Sequence, residues 1–577
     1  MSTQAVLLLP PNREPGEIPA DELCRLVESE LGMEEGSITK ARLSRVSLDA
    51  RKGKMLWRAA VTAWKADEEP PPHPPTSPVP IPPVSGPAPR LVIIGSGPAG
   101  LFCALDALRA GLQVTVLERG LPVQARRRSI AQLNRGEPTD PESNYAFGEG
   151  GAGTYSDGKL YTRSGKKGEP EAVIHEFIAH GAPDSIGWMA RPHIGSNLLP
   201  KVVEAIRETI EKGGGEIRFE AKAEKIHSEN GAVRGVELEG GETLDADAVV
   251  LATGHSATDA VLMARASGAT IEAKGFAVGV RIEHPQAWLD KIQYQGLSRE
   301  ETGLPASFYE CSAQVDERGV YSFCMCPGGW IVPSQAEPET LVVNGMSLSK
   351  RDSAFANSGV VVSLEPKDWC GKRGWRWGWP DLVKKAAELS EHPLLHEVVE
   401  DPRGGASLDI ASGRLPIHPG LDPLYGVRIQ VALEVLAARA GGGGNQAPAQ
   451  NCGDFVREKG PEQALASTSY LPGLTPFDFA TLLPRGVARR LRTALTVFEN
   501  KLPGYLGKAG QMIGVETRTS SPVRILRDPE TLETEGLAGL YPCGEGSGFA
   551  GGIVSAALDG KRVAAAVAAK LTPAPTV

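Results

Sequence analysis

The sequence predicts an α/β fold whose central domain is built from separated stretches of the chain, and three observations predict it. Residues 91–117 alternate between strand-like and helix-like patterns around a glycine turn, which is the unit of a Rossmann-like parallel sheet. A further strand and helix, joined by glycines, occupy 540–570. Between these units, residues 270–370 are rich in strand-forming runs, which predicts a strand-rich α+β domain inserted into a discontinuous Rossmann-like domain.

Residues 1–69 predict a small N-terminal α+β domain. Apolar residues at 5–9 are typical of a strand, and apolar residues recur on one helical face over 21–31. Two further strands are predicted at 37–48 and 55–64.

A proline-rich segment follows this domain, with eleven prolines within residues 70–89. Proline cannot donate to a strand ladder and keeps the chain extended, so the segment predicts a semi-rigid linker. The same composition is also typical of ligands of proline-binding domains.

Composition limits the classes of partner. The 577 residues include 61 basic and 70 acidic side chains, a net charge of −9. Nucleic-acid-binding domains are usually basic, so we expect no nucleic-acid partner. No run of 18 apolar residues is uninterrupted and the first residues lack a basic signal-peptide region, so we expect no membrane span and a cytoplasmic protein. Eight cysteines fit a reducing compartment.

The first of three G-x-G-x-x-G motifs is GSGPAG at 95–100, which follows a predicted strand and opens a predicted helix. Gly95 permits a tight turn, Gly97 lets the backbone approach a pyrophosphate, and Gly100 lets helix and strand pack closely. Glu118 ends the next strand, 118 − 95 = 23 residues after Gly95, where a carboxylate can accept hydrogen bonds from a ribose. The predicted cofactor contacts here are Gly95, Gly97, Pro98, Ala99, Gly100, Glu118 and Arg119.

The second motif, GEGGAG at 148–153, has no clear strand before it and no helix after it. We expect a loop that passes close to a flat ligand, and a plain surface loop is the alternative. The predicted contacts are Gly150, Gly151, Gly153 and Thr154.

The third motif, GSGFAG at 546–551, lies between a strand and a helix, but no second strand with an acidic ribose ligand follows it. Its helix start is therefore expected to point at another part of a cofactor that is bound elsewhere. The predicted contacts are Gly544, Glu545, Gly548, Gly551, Gly552 and Ile553, with Ala252, Thr253 and Gly254 after a middle strand.

The combination of the first motif, the later Ala-Thr-Gly and the C-terminal Cys-Gly-Glu turn resembles FAD-binding flavoproteins. More narrowly, the chain is similar over about residues 90–570 to a bacterial family of FAD-dependent dehydrogenases, itself distantly similar to aminoacetone-oxidase-like flavoproteins. The matching stretches are FGEGGAGTYSDGKLYT (147–162), KGFAVGVRIEHPQ (274–286), SFCMCPGGWIVPS (322–334), NGMSLSKRDSAFANS (344–358), ETRTSSPVRI (516–525) and YPCGEGSGFAGGIVSAALDGKRVA (541–564).

The resemblance implies FAD as the cofactor, with Glu545 at the FAD linker region. It also implies a Rossmann-like FAD-binding domain at 90–269 and 511–577, and a substrate-covering domain at 270–510.

Three polar side chains are predicted as catalytic: Arg518, which can hold a carboxylate or enolate, Lys159, which follows the second glycine motif, and His284. Arg281 and Glu283 share one face of a predicted strand, so they either join the active site or pair with each other. His255 is predicted to be a packing residue.

Cys324 and Cys326 are separated by one residue. Their side chains share one face of a strand, but a disulfide there is strained. Zinc needs four ligands, and no second cysteine pair of suitable spacing accompanies them. We therefore predict two buried thiols and no metal. No C-x₄-C motif follows Gly100, which argues against a disulfide reductase of the glutathione-reductase type.

These observations predict an FAD-dependent oxidoreductase, specifically a dehydrogenase that moves hydride between flavin N5 and a small or medium organic substrate. No second complete nucleotide-binding unit exists, so NAD(P)H would be only a transient reductant. Two alternatives are an NAD(P)H-dependent flavin monooxygenase and a non-catalytic flavin-binding redox sensor that binds a protein partner through its N-terminal domain.

Overall fold

A computed structural model describes residues 2–50, 55–84, 86–161, 169–401, 404–405 and 407–572. The N-terminal unit is a three-stranded antiparallel sheet of order β1-β3-β2 with one helix packed on it. Its elements are β1 (Thr3–Leu9), α1 (Ala20–Leu31), β2 (Ile38–Asp49) and β3 (Leu56–Lys65). Alternate residues of β1 are buried, as expected for a sheet with one covered face.

The N-terminal unit is docked on the remainder of the chain. Val46 of β2 donates its N–H to the carbonyl oxygen of Trp188 at 2.8 Å, and Tyr294 and Leu304 complete the apolar core of the unit. The described residues of the proline-rich segment form no helix or strand. One of them, Ile81, packs into the core of the next domain.

A five-stranded parallel sheet of order β24-β10-β4-β5-β6 forms the second domain. Its strands are β4 (Arg90–Ile94), β5 (Gln113–Leu117), β6 (Glu216–Arg218), β10 (Ala248–Leu251) and β24 (Leu540–Pro542). Because β24 comes from the far end of the chain, the sheet is discontinuous in sequence.

Both faces of this sheet are covered, and its central strands β4 and β10 are accordingly apolar apart from Arg90. Ile93 and Val250 face the helices on one side, whereas Val92 and Val249 face a small three-stranded antiparallel sheet on the other. The covering helices are α2 (Pro98–Arg109), α3 (Val123–Asn134), α4 (Glu169–Ala179), α5 (Leu199–Lys212) and α16 (Ile553–Leu571). The opposite layer holds β7 (Ala223–Glu229), β8 (Ala232–Leu238), β9 (Thr243–Asp245) and α6 (Thr258–Ala266).

A seven-stranded mixed sheet of order β13-β14-β17-β12-β22-β20-β21 forms the inserted domain. These strands are β12 (Phe276–Pro285), β13 (Ser312–Val315), β14 (Arg318–Cys326), β17 (Phe355–Leu364), β20 (Ala447–Asn451), β21 (Leu474–Pro476) and β22 (Gln511–Glu516). Short two-stranded ribbons accompany it, formed by β11 (Ile271–Ala273) with β23 (Val523–Ile525), β15 (Trp330–Pro333) with β16 (Val343–Met346), and β18 (Val398–Val399) with β19 (Leu408–Asp409).

Helices pack on one face of the seven-stranded sheet and enclose the largest apolar core of the molecule. They are α7 (Gln286–Gln293), α9 (Gly371–Trp377), α10 (Trp379–Ala387), α11 (Pro393–His396), α12 (Tyr425–Gly441), α13 (Cys452–Val456), α14 (Phe479–Leu482) and α15 (Arg485–Lys501). The short helix α8 (Arg299–Thr302) has no buried residue. The predicted fold class is therefore confirmed: a discontinuous Rossmann-like domain, an inserted strand-rich α+β domain and a small N-terminal α+β unit.

Candidate flavin site

A cleft of about 270 Å³ opens at the carboxyl ends of the parallel strands, where ligands bind in open α/β sheets. Both large domains contribute to it, because Cys324 of β14 joins the residues of the parallel-sheet domain. Of the predicted cofactor contacts, the cleft is lined by Gly95, Gly97, Pro98, Ala99, Glu118, Arg119, Gly151, Gly153, Ala252, Thr253, Gly254, Gly544, Glu545, Gly552 and Ile553.

The glycines of the first motif differ in what a side chain would meet. A Cβ on Gly95, whose φ is +106°, would lie 2.5 Å from the Ala252 carbonyl oxygen, and one on Gly100 would lie 1.9 Å from the Gly95 carbonyl oxygen. A Cβ on Gly97 would lie 4.0 Å from the Gly151 Cα, its nearest neighbour among the described residues. Gly97 therefore leaves open space at the cleft, which fits the close approach of a phosphate group.

Two helix N-termini meet at the cleft. Gly97 precedes α2 and Gly552 precedes α16, and neither helix has a side-chain cap, so backbone N–H groups remain available to a ligand. The helices pack closely, since a Cβ on Gly560 would lie 2.1 Å from the Ala99 carbonyl oxygen. The cleft therefore offers two positive dipole ends to the anionic parts of a dinucleotide.

Glu118 is buried at the cleft and already carries four hydrogen bonds. One carboxylate oxygen accepts from the backbone N–H and hydroxyl of Ser96, and the other accepts from the N–H groups of Gly120 and Gly148 at 3.0 Å each. A carboxylate offers about four acceptor sites. A ribose hydroxyl must therefore share or displace one of these donors, and the predicted ribose contact of Glu118 stays a prediction.

Five of the predicted cofactor contacts do not line the cleft: Gly100, Gly150, Thr154, Gly548 and Gly551. Gly100 instead lets α2 pack on the strand, and the Thr154 hydroxyl donates to the Glu149 carbonyl oxygen. Lining residues that the motifs did not indicate include Phe147, Asp157, Lys222, His255, Asp259, Met263 and Cys324. Asp157 could have been indicated by the sequence, because it lies four residues after the last glycine of the second glycine motif.

A charged cluster forms one wall of the cleft around Asp157. Its carboxylate lies 2.9 Å from Lys159 Nζ, accepts from Arg351 Nη2 at 2.6 Å and also accepts from the Ser347 hydroxyl. Burial acts to raise the pKa of Asp157, but Lys159 and Arg351 outweigh it and hold that pKa below its ordinary value. The acid therefore stays ionised and fixes the ammonium group of Lys159 at the cleft.

The same ammonium group faces two sulfur atoms. Lys159 Nζ lies 3.6 Å from Cys324 Sγ and 3.5 Å from Cys326 Sγ. The prediction of two buried thiols therefore needs correction for Cys324, which is partly exposed and lines the cleft, whereas Cys326 is buried behind it.

Arg281 lies fully buried next to this cysteine pair. Its guanidinium donates to the Cys324 carbonyl oxygen at 2.7 Å and to the Glu516 carboxylate at 2.9 Å. Burial raises the pKa of Glu516 to about 7, although Arg281 opposes the shift. Of the two alternatives for Arg281 and Glu283, the structure does not show pairing: Arg281 forms its ion pair with Glu516, and Glu283 accepts hydrogen bonds from Ser469.

The three side chains predicted as catalytic lie in different parts of the structure. Among the described residues, Lys159 lines the cleft, whereas His284 and Arg518 do not. His284 stacks on Trp288 with ring centres 4.4 Å apart, and Arg518 forms an ion pair with Glu434 at 2.7 Å.

His255, predicted as a packing residue, instead lines the cleft with Nδ1 3.8 Å from Glu545 Oε2.

Within the described ranges, no group of three or more His, Cys, Asp or Glu side chains is arranged to hold a metal ion. No helix in that same part of the chain is long and apolar enough to cross a membrane.

Two family models match the chain. The model described as "FAD dependent oxidoreductase" matches residues 90–194 and 199–304. The model described as "FAD-dependent protein, C-terminal domain-like" matches residues 275–376 and 414–519. Together they match parts of both domains that line the cleft, and neither match includes residues 520–577, which hold β24 and α16.

A protein of Clostridium beijerinckii, described as an uncharacterized protein, is 38% identical over 478 residues, which are 82% of this chain and 80% of that protein. Among solved structures, CtdE in complex with FAD is 10% identical with a TM-score of 0.28, and the match covers 83% of this chain and 84% of CtdE. The FrdA subunit of E. coli quinol fumarate reductase is 13% identical with a TM-score of 0.33, and the match covers 85% and 71%.

Proposed function

Because the chain belongs to a family of FAD-dependent oxidoreductases, we propose that it is a dehydrogenase that transfers hydride between a small or medium organic substrate and flavin N5. When bound, FAD supplies the two-electron chemistry. The protein then has to hold the cofactor, orient the substrate and stabilise the charge that develops.

The observation that carries this proposal is the position of Lys159. Its ammonium group lies at the cleft, between Asp157 and two thiols, on the wall that the inserted domain completes. Burial acts to lower the pKa of Lys159, but Cys324, Cys326 and Asp157 outweigh it and raise that pKa. A cation held in this way can bind the carboxylate or enolate oxygen of a substrate.

The N-terminus of α16 supports the same function. Gly552 and Ile553 line the cleft at the positive end of this long helix. Reduction of a flavin adds negative charge to its ring system, and a helix N-terminus stabilises such charge by about 0.3–1 kcal/mol, or somewhat more where it is buried. We place the flavin ring system toward α16 and Lys159, and the adenosine part toward Glu118.

An anaerobic reduction series tests the proposal. The purified yellow protein is mixed without oxygen with organic acids, amines and alcohols, with NADH or with NADPH, and the flavin absorbance is followed. Bleaching by an organic substrate, or reoxidation of chemically reduced flavin by one, supports hydride transfer. Bleaching by NADPH alone, with oxygen then incorporated into a substrate, identifies a monooxygenase. A flavin that no reductant of either class bleaches contradicts both and favours a non-catalytic redox sensor.

Lys159→Met gives a matched test of the substrate-binding cation, with exposed Lys350→Met as the control. We expect Lys159→Met to bind FAD but to lose flavin reduction by an anionic substrate. Equal rates of flavin reduction in the two variants would show that Lys159 does not bind the substrate.

A further inference from the structure

Cys324 has an unusual backbone conformation at the cleft. Its φ of +47° lies in the left-handed region, which a side chain with a Cβ seldom adopts without cost. The pairing of β14 with β17 is irregular here, with a register shift between Phe323 and Cys326. Arg281 holds the carbonyl oxygen of Cys324, so the bulge and this hydrogen bond together present the sulfur to the cleft.

The two sulfurs share their cationic neighbours. Lys159 contacts both, and Arg281 Nη2 lies 3.8 Å from Cys326 Sγ. The Cys326 thiol donates to the Cys324 carbonyl oxygen at 3.4 Å. Interaction with the Cys326 side chain, reinforced by Lys159 and Arg281, lowers the pKa of Cys324 well below its ordinary value against the effect of burial. The same interaction between the two side chains, together with burial, raises the pKa of Cys326 well above its ordinary value. The contacts with Lys159 therefore favour a thiolate at Cys324 next to a protonated thiol at Cys326.

We propose that Cys324 and Cys326 form a redox-active dithiol that exchanges an electron pair with the bound FAD. In the oxidative direction an S–S bond forms between the Cys324 thiolate and Cys326, and the Cys326 S–H bond breaks. The proton and the electron pair pass to oxidised FAD, which becomes FADH⁻, so atoms and charge balance. The reverse step reduces the disulfide and returns oxidised FAD.

The spacing of the two cysteines permits such a bond. Residues two apart on an extended strand have Cα atoms about 6.6 Å apart, which is at the upper end of the range for disulfides. The left-handed turn at Cys324 bends the chain at this point. A disulfide closed over so few residues is strained, and strained disulfides are the readily reduced, catalytic kind.

This inference rests on the FAD site but not on the proposed hydride transfer to an organic substrate. Its test is an anaerobic dithionite titration of the air-oxidised holoenzyme. We expect the wild-type protein to take up about two electrons more per FAD than the Cys326→Ser variant, because the disulfide is itself a two-electron couple. Cys370→Ser is the matched control, because Cys370 is a buried free thiol outside the cleft, and it should behave as wild type.

A second measurement needs no variant. Thiols of the air-oxidised wild-type protein are alkylated after denaturation, and the peptide that contains Cys324 and Cys326 is identified by mass spectrometry. We expect two fewer reactive thiols than the eight cysteines of the chain, with this peptide unmodified and internally linked.

Eight reactive thiols, or equal electron uptake in wild type and Cys326→Ser, would overturn the dithiol. If an organic substrate still bleached the flavin in that case, the dithiol proposal would be wrong and the proposed dehydrogenase function would remain supported.

Discussion

The carboxylate of Glu118 accepts two hydrogen bonds from Ser96, one from the backbone N–H at 3.1 Å and one from the hydroxyl at 2.6 Å. Its other oxygen accepts from Gly120 and Gly148. One buried acid thus joins the first glycine turn to the second glycine loop. Both loops line the cleft, so the geometry of the flavin site depends on this carboxylate whether or not it contacts a ribose.

Glu118→Gln should weaken FAD binding about 10-fold to 100-fold, since hydrogen bonds to a charged group contribute about 1.5–3 kcal/mol. The amide would direct N–H groups at backbone N–H donors where the carboxylate now accepts. FAD affinity is measured by titration of the flavin-free protein, with exposed Glu224→Gln as the control. Equal affinities in the two variants would show that the carboxylate is dispensable.

Gly552→Val should give a folded protein that is purified without FAD. A Cβ on Gly552 meets no heavy atom within 4 Å, so the side chain would fill space at the cleft rather than clash with the protein. Gly240→Val is the matched control, because Gly240 also has a positive φ and open surroundings but lies outside the cleft. The FAD content per chain, with circular dichroism as a check of folding, decides the matter. A fully yellow Gly552→Val protein would contradict the expected placement of the cofactor.

Asp157→Asn should lower the melting temperature, because it leaves Lys159 and Arg351 without their buried counter-ion, a loss of about 3–5 kcal/mol. Despite burial, these cations lower the pKa of Asp157 below its ordinary value of about 3.9. The stabilisation is therefore complete above that value and is lost as the pH falls through the lower pKa of the folded state.

Melting curves of wild type and Asp157→Asn between pH 7 and pH 3 test this dependence. The gap between the two melting temperatures should stay constant down to about pH 4 and narrow below it. Exposed Asp67→Asn serves as the control and should show no gap. A gap that is already closed at pH 6 would show that Asp157 is not held ionised.

Cys324 should react with iodoacetamide at a rate that is nearly constant between pH 7 and pH 9 in the reduced full-length protein. An ordinary thiol has a pKa of about 8.5 and loses reactivity about tenfold per pH unit below it. Lys159→Met should make the dependence on pH steeper, because Cys326 and Arg281 are then the remaining groups that lower the pKa of Cys324, whereas Lys350→Met should leave the dependence unchanged. Rates are read from the peptide that contains Cys324, and a steep profile in the wild-type protein would refute the ion-paired thiolate.

Deletion of residues 1–69 should lower the melting temperature but preserve FAD content and flavin reduction. The N-terminal unit covers Trp188, Tyr294 and Leu304, so its removal exposes apolar surface, but none of the residues that the structure describes in this unit lines the cleft. Reduction of the bound flavin is measured in both proteins with the same reductant. Retained FAD with abolished reduction would indicate that the unit takes part in turnover.

The glycine turns that line the cleft could be predicted from the sequence, because dinucleotide recognition uses backbone groups at short, regular spacing. Gly95, Gly97 and Glu118 fall within one strand–helix–strand unit, and Gly552 precedes one helix, so their relation to the cleft is local. The contacts of Met263 and Lys222 were missed because single residues on a helix and at a strand start carry no pattern that distinguishes them from ordinary surface or core.

The sequence by itself determined the fold class, the cofactor and the glycine turns that line the cleft, because glycine spacing and apolar periodicity are local properties. Only the tertiary structure decided which side chains meet. Lys159 and Cys324 are 165 residues apart and come together where a loop of one domain faces a bulge of the other. Arg281 and His284 lie on the same strand, but side chains of a strand alternate between its faces, so Arg281 contacts Cys324 while His284 packs on Trp288. Contacts of this kind depend on strand order and domain packing, which no short stretch of sequence encodes.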